Sequence, residues 1–442
     1  MYNYFRVAYY LSSLLRHTRW SRGKLLEYQN LKVREIVNYA YRHVAFYHEK
    51  FRQLGLKPEE VKTVEDLSKI PIVGKKELQK NSDKMISDEF DVGKLKRVST
   101  SGSTGRPLST YITKKEDAFR KAKLLRANII CGQKPRDKWV LITAPQHEAE
   151  AYRLQRFFGV YAPIPVSVFD EVAAQISKIE KIGPDVLDGY SSSILLLARE
   201  VENRNTQSVR PRIIIGGAEL MDHRSRQYVE RVFDAPFYDE YACVELERLA
   251  WQCEERSGYH MDADSVVMEF VDKNGEKVAP EETGEIVCTS LFNYAMPFIR
   301  YAIGDIGILS NEKKCPCGRT LPLMEVIAGR KDSIIVLRNG TALSPLVIGD
   351  GMMFFKYFGH IDQYRVIQKK IDFFKILVKK KPSDVEDGVF ETEFAAHFRR
   401  LLKVNGPDVT IEIDFVDEIP FDRSGKIRKI VSELNDVREL GA

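Results

Sequence analysis

The sequence predicts an α/β protein: a large N-terminal α/β domain with parallel sheets and a strand-rich subdomain, then a small α+β domain. Three observations carry this prediction. The chain has 442 residues, more than one compact core holds, so about two or three domains are expected. Between Trp139 and Gly217 strand-like and helical runs alternate, as parallel βαβ units require. After about His260 the texture changes to strands and hairpins, and the portion from about Ser333 has strands and a helix of its own.

Taken in order, Met1 to Trp20 is aromatic and basic, with Tyr2, Tyr4, Phe5, Tyr9, Tyr10 and Trp20 near Arg6, Arg16 and Arg19. It reads as a helix packed on its own domain, with peripheral membrane contact as the alternative. From Leu25 to Phe51, Val33, Ile36, Val37, Ala40 and Val44 recur at helical spacing. Ser68 to Lys75 is a turn built on Pro71, followed by a short helix. Trp139 to Thr143 is a buried strand, Glu171 to Lys181 and Ser193 to Val201 are helices, and Arg212 to Ile215 is a strand running into Gly216-Gly217. Val266 to Val271 and Lys277-Val278 flank Lys273-Asn274-Gly275, a hairpin turn signal. Glu285 to Thr289 and Ile306 to Leu309 continue the strands. The last portion has strands at Phe374 to Val378 and Thr410 to Phe415 and a helix at Glu391 to Leu402.

Composition narrows the function classes. Sixty-eight basic and 63 acidic residues nearly cancel to +5, which argues against a nucleic-acid-binding face. No apolar run reaches the roughly 18 residues of a membrane span, and the start lacks a signal peptide's apolar core and cleavage site. With no secretory signal, the six cysteines predict no disulfide framework, and a cytoplasmic location is expected.

Ser99-Thr100-Ser101-Gly102-Ser103-Thr104-Gly105-Arg106-Pro107 lies between two strand-like segments, Lys96-Arg97-Val98 and Tyr111-Ile112-Thr113. Glycines let the backbone approach a ligand, and hydroxyls with backbone N–H groups are the donors a polyphosphate needs, so the loop reads as an ATP grip. A flexible turn is the alternative. No Gly-Lys-Ser/Thr closes it, so it is not a Walker loop. Separately, Cys315-Pro316-Cys317 with Cys253 and His260 offers three thiolates and one imidazole, enough for a closed structural Zn2+ site. Buried free thiols are the other reading.

Five further stretches follow the loop in a fixed order: Gly216-Gly217-Ala218-Glu219, Tyr241-Ala242-Cys243-Val244-Glu245, Arg300-Tyr301-Ala302-Ile303-Gly304-Asp305, Gly329-Arg330-Lys331-Asp332 and Asp422-Arg423-Ser424-Gly425-Lys426. With the loop they resemble the adenylate-forming ligase superfamily, and within it the phenylacetate–coenzyme A ligase-like branch that includes capsular polysaccharide biosynthesis proteins. The resemblance covers nearly the whole chain.

It implies that Thr100, Ser101, Gly102, Ser103, Thr104 and Gly105 hold the ATP phosphates. Gly217, Ala218 and Glu219 would line the adenine, and Tyr241 would stack on it. Glu245 would carry Mg2+, and Asp305 would accept from the ribose hydroxyls. Arg330 would lie near ribose or phosphate, and Asp332 would absorb the rotation of a small mobile domain. Lys426 would bridge the attacking carboxylate and the α-phosphate. Without the resemblance, Glu245 is one of several acids on what reads as a solvated helix face. Three positions depart from the pattern: Leu108 where a lysine is common, Ala242 for Gly and Val244 for Thr. Arg106 is the nearby candidate to replace the missing charge. Ser333 stands where a second Asp is frequent.

The resemblance implies domains at 1–329 and 333–442 with a hinge at 330–332. It implies an ATP-dependent ligase that makes an acyl-adenylate and passes the acyl group to coenzyme A, or to an amine or hydroxyl in surface polysaccharide synthesis. The acid pocket is expected around Pro145-Gln146-His147 and Gly189-Tyr190-Ser191-Ser192, with His147 either facing the acid or structural. A homodimer is compatible with the branch. The rival reading is a non-catalytic nucleotide- or partner-binding descendant in a biosynthetic complex.

Overall fold

A computed structural model describes residues 2–99, 108–145, 153–206, 208–312, 314–404, 408–422 and 426–434. Thr100, Ser101, Gly102, Ser103, Thr104, Gly105, Arg106 and Pro107 of the loop therefore lie outside the described residues, as do Gln146, His147, Arg423, Ser424 and Gly425.

A 12-stranded sheet organises the large part of the chain. Its first half is parallel, in the order Pro163–Ser167, Trp139–Thr143, Val186–Tyr190, Ile213–Gly217, Phe237–Cys243. These strands are short and largely apolar, as strands covered on both faces must be. Val172–Ile182, Ser191–Asn203 and His223–Phe233 supply cover, and Ile176, Leu197 and Val229 share one core with Val140, Ile142 and Ile214. At Phe237–Cys243 the pairing turns antiparallel and continues through Glu247–Trp251, Tyr259–Met261, Leu323–Arg330, Tyr301–Leu309, Thr283–Ser290 and Val266–Val271. The sheet is thus mixed.

The helix expected over Leu25 to Phe51 is two helices, Arg22–His43 and Ala45–Leu54. Val44 breaks it with φ −126° and ψ 107°. The bend lets both pieces bury their apolar faces in one core, Val33, Ile36 and Val37 from the first and Phe46, Tyr47 and Phe51 from the second. Beyond the 273–275 turn, where Gly275 has φ 83°, the expected strand at Lys277-Val278 reduces to a single bridge from Lys277 to Val271.

The small domain has its own core and its own four-stranded sheet, Thr410–Phe415, Phe373–Lys380, Ile361–Lys370, Ile430–Ser432. The helix Asp387–Leu402 packs Phe390, Phe394, Phe398 and Leu402 onto it at four-residue spacing. Phe374, Ile376 and Val378 meet them from the central strand. No described helix is long and apolar enough to cross a membrane.

Candidate active site

A cavity of about 300 Å³ lies beyond the carboxyl ends of Ile213–Gly217 and Phe237–Cys243, where open α/β sheets bind ligands. Both domains line it. The strand Ile213–Gly217 ends in two glycines because its neighbour is close. A Cβ on Gly216 would fall 2.0 Å from the Phe237 ring, and one on Gly217 3.0 Å from the Glu240 carbonyl. Ala218 then turns the chain with φ 66°, a conformation a Cβ disfavours. Ala218 and Glu219 line the cavity. Both Glu219 oxygens are engaged: Oε2 accepts from the Ser192 N–H (3.0 Å) and Oε1 from the Ile427 N–H (2.8 Å).

The acidic stretch from Asp239 to Glu247 is not a solvated helix face. Phe237–Cys243 is a strand, and Glu245 is 3% exposed. Tyr301 Oη donates to Glu245 Oε1 at 2.9 Å, and Lys75 Nζ stands 3.8 Å from the same oxygen. Arg120 holds the backbone here, donating to the Val244 (2.9 Å) and Glu245 (3.2 Å) carbonyls, so the chain is fixed at the departure at Val244. Tyr241 Oη donates to Asp305 Oδ2 at 2.7 Å. Asp305 Oδ1 has no hydrogen-bond donor among the described residues, and Arg330 Nη1 lies 3.9 Å from it. Burial raises the Asp305 pKa, against the pull of the Arg330 charge. A buried acceptor left without a donor beside a cavity fits a ligand hydroxyl.

Lys426 enters the cavity from the small domain. Its ammonium sits 5.5 Å from the centroid of Tyr190, and desolvation depresses its pKa while Glu219 and Asp422 oppose the shift. The Lys426 N–H donates to Asp422 Oδ1 (3.0 Å), and the Asp422 N–H donates to the Lys426 carbonyl (2.9 Å). Asp332 accepts from Arg330 Nε (3.1 Å) and pairs with Arg428 Nη2 (2.9 Å), and Lys429 pairs with Asp222 (3.3 Å).

Ala218, Glu219, Tyr241, Glu245, Asp305, Arg330 and Lys426 therefore share one cavity. Gly217 ends the strand leading into it, and Asp332 lies behind Arg330 at the domain junction. The loop at 100–105 is approached by a strand pair, Lys96–Ser99 with Ser109–Ile112. Leu108, where a lysine is common, is 1% exposed and belongs to the core. Sequence reasoning missed Lys75 and Tyr301. They meet Glu245 because the strand Val73–Gly74 pairs with Tyr301–Ala302, a long-range contact with no local signature.

Cys253, His260, Cys315 and Cys317 converge elsewhere, with ligand atoms all within 4.8 Å of one another. Cys253 Sγ is 3.6 Å from Cys315 Sγ, and Cys317 Sγ is 3.3 Å from His260 Nε2. Tetrahedral zinc with Zn–S near 2.3 Å places sulfurs about 3.8 Å apart, so the set fits that ion. Burial keeps His260 neutral, with a pKa lowered to about 4, and pushes the Cys253 thiol up to about 12. A bound cation would reverse the thiol shift.

Residues 348–433 match the family described as the CapK C-terminal domain. Protein CapK of Staphylococcus aureus is 24% identical over 421 residues, covering 93% of this chain and 90% of its own length. A phenylacetate-coenzyme A ligase of Thermus thermophilus is 27% identical over 341 residues, covering 72% and 73%. Among solved structures, 2-hydroxyisobutyryl-CoA ligase in its postadenylation state superposes with a TM-score of 0.77 at 18% identity, covering 96% of this chain and 92% of that one. The same ligase in its thioesterification state gives 0.64 at 19% identity, covering 94% and 91%. Over most of its length the chain is thus similar in sequence to the phenylacetate–coenzyme A ligases and CapK, and it shares the fold of an adenylate-forming ligase.

Proposed function

We propose that this protein is an ATP-dependent, AMP-forming ligase that activates a carboxylic acid and transfers the acyl group to coenzyme A. The observation that carries the reading is the delivery of Lys426 from the small domain into the cavity holding Tyr241, Glu245 and Asp305. In the first step an oxygen of the acid attacks the α-phosphorus of ATP, the bond to the bridging oxygen of the β-phosphate breaks, and pyrophosphate leaves. Lys426 places a positive charge where negative charge builds at the α-phosphate and the incoming carboxylate. Its half-desolvated position strengthens that attraction. Asp305 accepts from the ribose hydroxyls through the oxygen that has no donor among the described residues, and Tyr241 and the Gly217-Ala218 backbone flank the base. Glu245 offers a hard carboxylate oxygen for Mg2+, whose charge would offset the phosphates.

In the second step the thiolate of coenzyme A attacks the acyl carbonyl and AMP leaves with the bonding pair. Residues 330–332 serve as the hinge between a domain at 1–329 and one at 333–442, and turning about it withdraws Lys426. An amine or hydroxyl acceptor uses the same adenylate, and the likeness to CapK supports a role in capsular polysaccharide synthesis. The four-residue Cys/His set holds a structural Zn2+ in this reading.

Turnover with acid labelled by 18O in the carboxylate tests the chemistry. One labelled oxygen in the AMP phosphate is the expected result, and unlabelled AMP would exclude an acyl-adenylate. Repeating the assay with coenzyme A, amine and sugar acceptors identifies the second substrate.

A further inference from the structure

We infer that Glu219 is a positioning residue that locks the Lys426 loop onto the large domain for the adenylation step, rather than a contact to the base. The inference rests on the adenylating reading. Its physical ground is that one carboxylate takes one backbone N–H from each domain. Ser192 lies in the first turn of Ser191–Asn203, where backbone N–H groups have no partner within the helix. Glu219 Oε2 takes that donor at 3.0 Å and is thereby fixed to the large domain. Oε1 is left facing the small domain and takes the Ile427 N–H at 2.8 Å.

Ile427 is the residue after Lys426, so this bond fixes the peptide that carries the lysine. On the other side, Asp422 holds the Lys426 N–H from within the small domain. The lysine is thus held between two carboxylates on its main chain. Of these two, the Glu219 contact is the one that crosses between the domains and has to break when they turn, together with side-chain pairs such as Lys429–Asp222 and Arg199–Asp362. The pairs Arg428–Asp332 and Lys429–Asp222 act through side chains further along, at the hinge and at the base of His223–Phe233.

The two bonds use different oxygens, and this makes the role chemically specific. Glutamine has the same shape but one acceptor only, so its amide nitrogen would oppose one of the two N–H donors. A residue needed only to fill space would tolerate that change. A hydrogen bond donated to a charged acceptor is worth about 1.5–3 kcal/mol, which corresponds to roughly a ten- to hundredfold change.

Two readouts on Glu219→Gln test the proposal. The first is amide hydrogen exchange of the full-length protein over the segment 426–430. Exchange at least tenfold faster than in the parent, with the large-domain core unchanged, is expected. Equal protection of Ile427 in both proteins would overturn the latch, and this arm needs no substrate. The second splits the reaction into halves, with phenylacetate and 2-hydroxyisobutyrate as acids and their synthetic adenylates as intermediates. Adenylation should fall at least tenfold, while thioester formation from a supplied adenylate stays within about twofold. Equal losses in both halves would make Glu219 a merely structural residue. If the parent protein adenylates neither acid nor any other, while exchange still depends on Glu219, the latch stands and the ligase reading falls.

Discussion

The cavity around Lys426 and the cluster around Cys317 both gather polar and ligand-capable side chains, on opposite plans. The Cys/His set closes on itself: its ligand atoms reach one another and none of its residues lines the cavity. Such an arrangement, with three of its four residues buried, suits a structural ion. The cavity leaves groups open. Asp305 Oδ1 has no donor among the described residues, and Lys426 belongs to a domain other than the one carrying Tyr241, Glu245 and Asp305. In the proposed reading the first site is completed by one resident ion, and the second only by a substrate and a turn of the small domain. Damage to the first should therefore appear as lost stability, and damage to the second as lost activity.

The sharpest test of this contrast is Lys426→Ala, expected to reduce adenylation by about 10²–10³-fold with the thermal midpoint unchanged. Asp305→Asn should act in the same direction but less, raising KM for ATP about tenfold through weaker acceptance from the ribose. Cys315→Ser should do the reverse. It should lose bound zinc by elemental analysis and lower the midpoint by about 5–10 °C, while adenylation below that temperature is little changed. Stoichiometric zinc absent from the parent protein would remove that half of the comparison.

A pH-dependent effect concerns Asp188, on the strand Val186–Tyr190, whose carboxyl burial raises to about 8. Trp139 Nε1 donates to it at 3.0 Å. With the folded pKa above the unfolded value of about 3.9, the native state holds a proton that the unfolded chain releases. Its contribution is present below about pH 4 and is lost progressively as pH rises towards 8. Asp188→Asn keeps an acceptor for Trp139 and should flatten the fall in thermal midpoint between pH 5 and 8.

What the sequence revealed was what is local. Ile213-Ile214-Ile215 marks a strand, and the structure has one at Ile213–Gly217; that Gly216 lies against the Phe237 ring was added by the structure. Phe390, Phe394 and Phe398 lie on one face of one helix at a readable spacing. Val44 was not readable as a break, because its side chain continues the helical pattern and only the packing of two helix faces into one core turns the backbone. The burial of Glu245 was equally hidden. Among acids it looks solvated, and its partners Tyr301 and Lys75 come from a parallel pairing of Val73–Gly74 with a distant strand. The Cys/His set was legible as four residue types, but its convergence depends on the pairing of Tyr259-His260 with Leu323-Met324.

The most direct test of the central claim is acid-dependent ATP–pyrophosphate exchange across a panel of carboxylic acids, run on the parent protein and Lys426→Ala side by side. The account predicts exchange with at least one acid in the parent and its loss in the variant. Silence of the parent across a broad panel, or exchange that persists without Lys426, would contradict it.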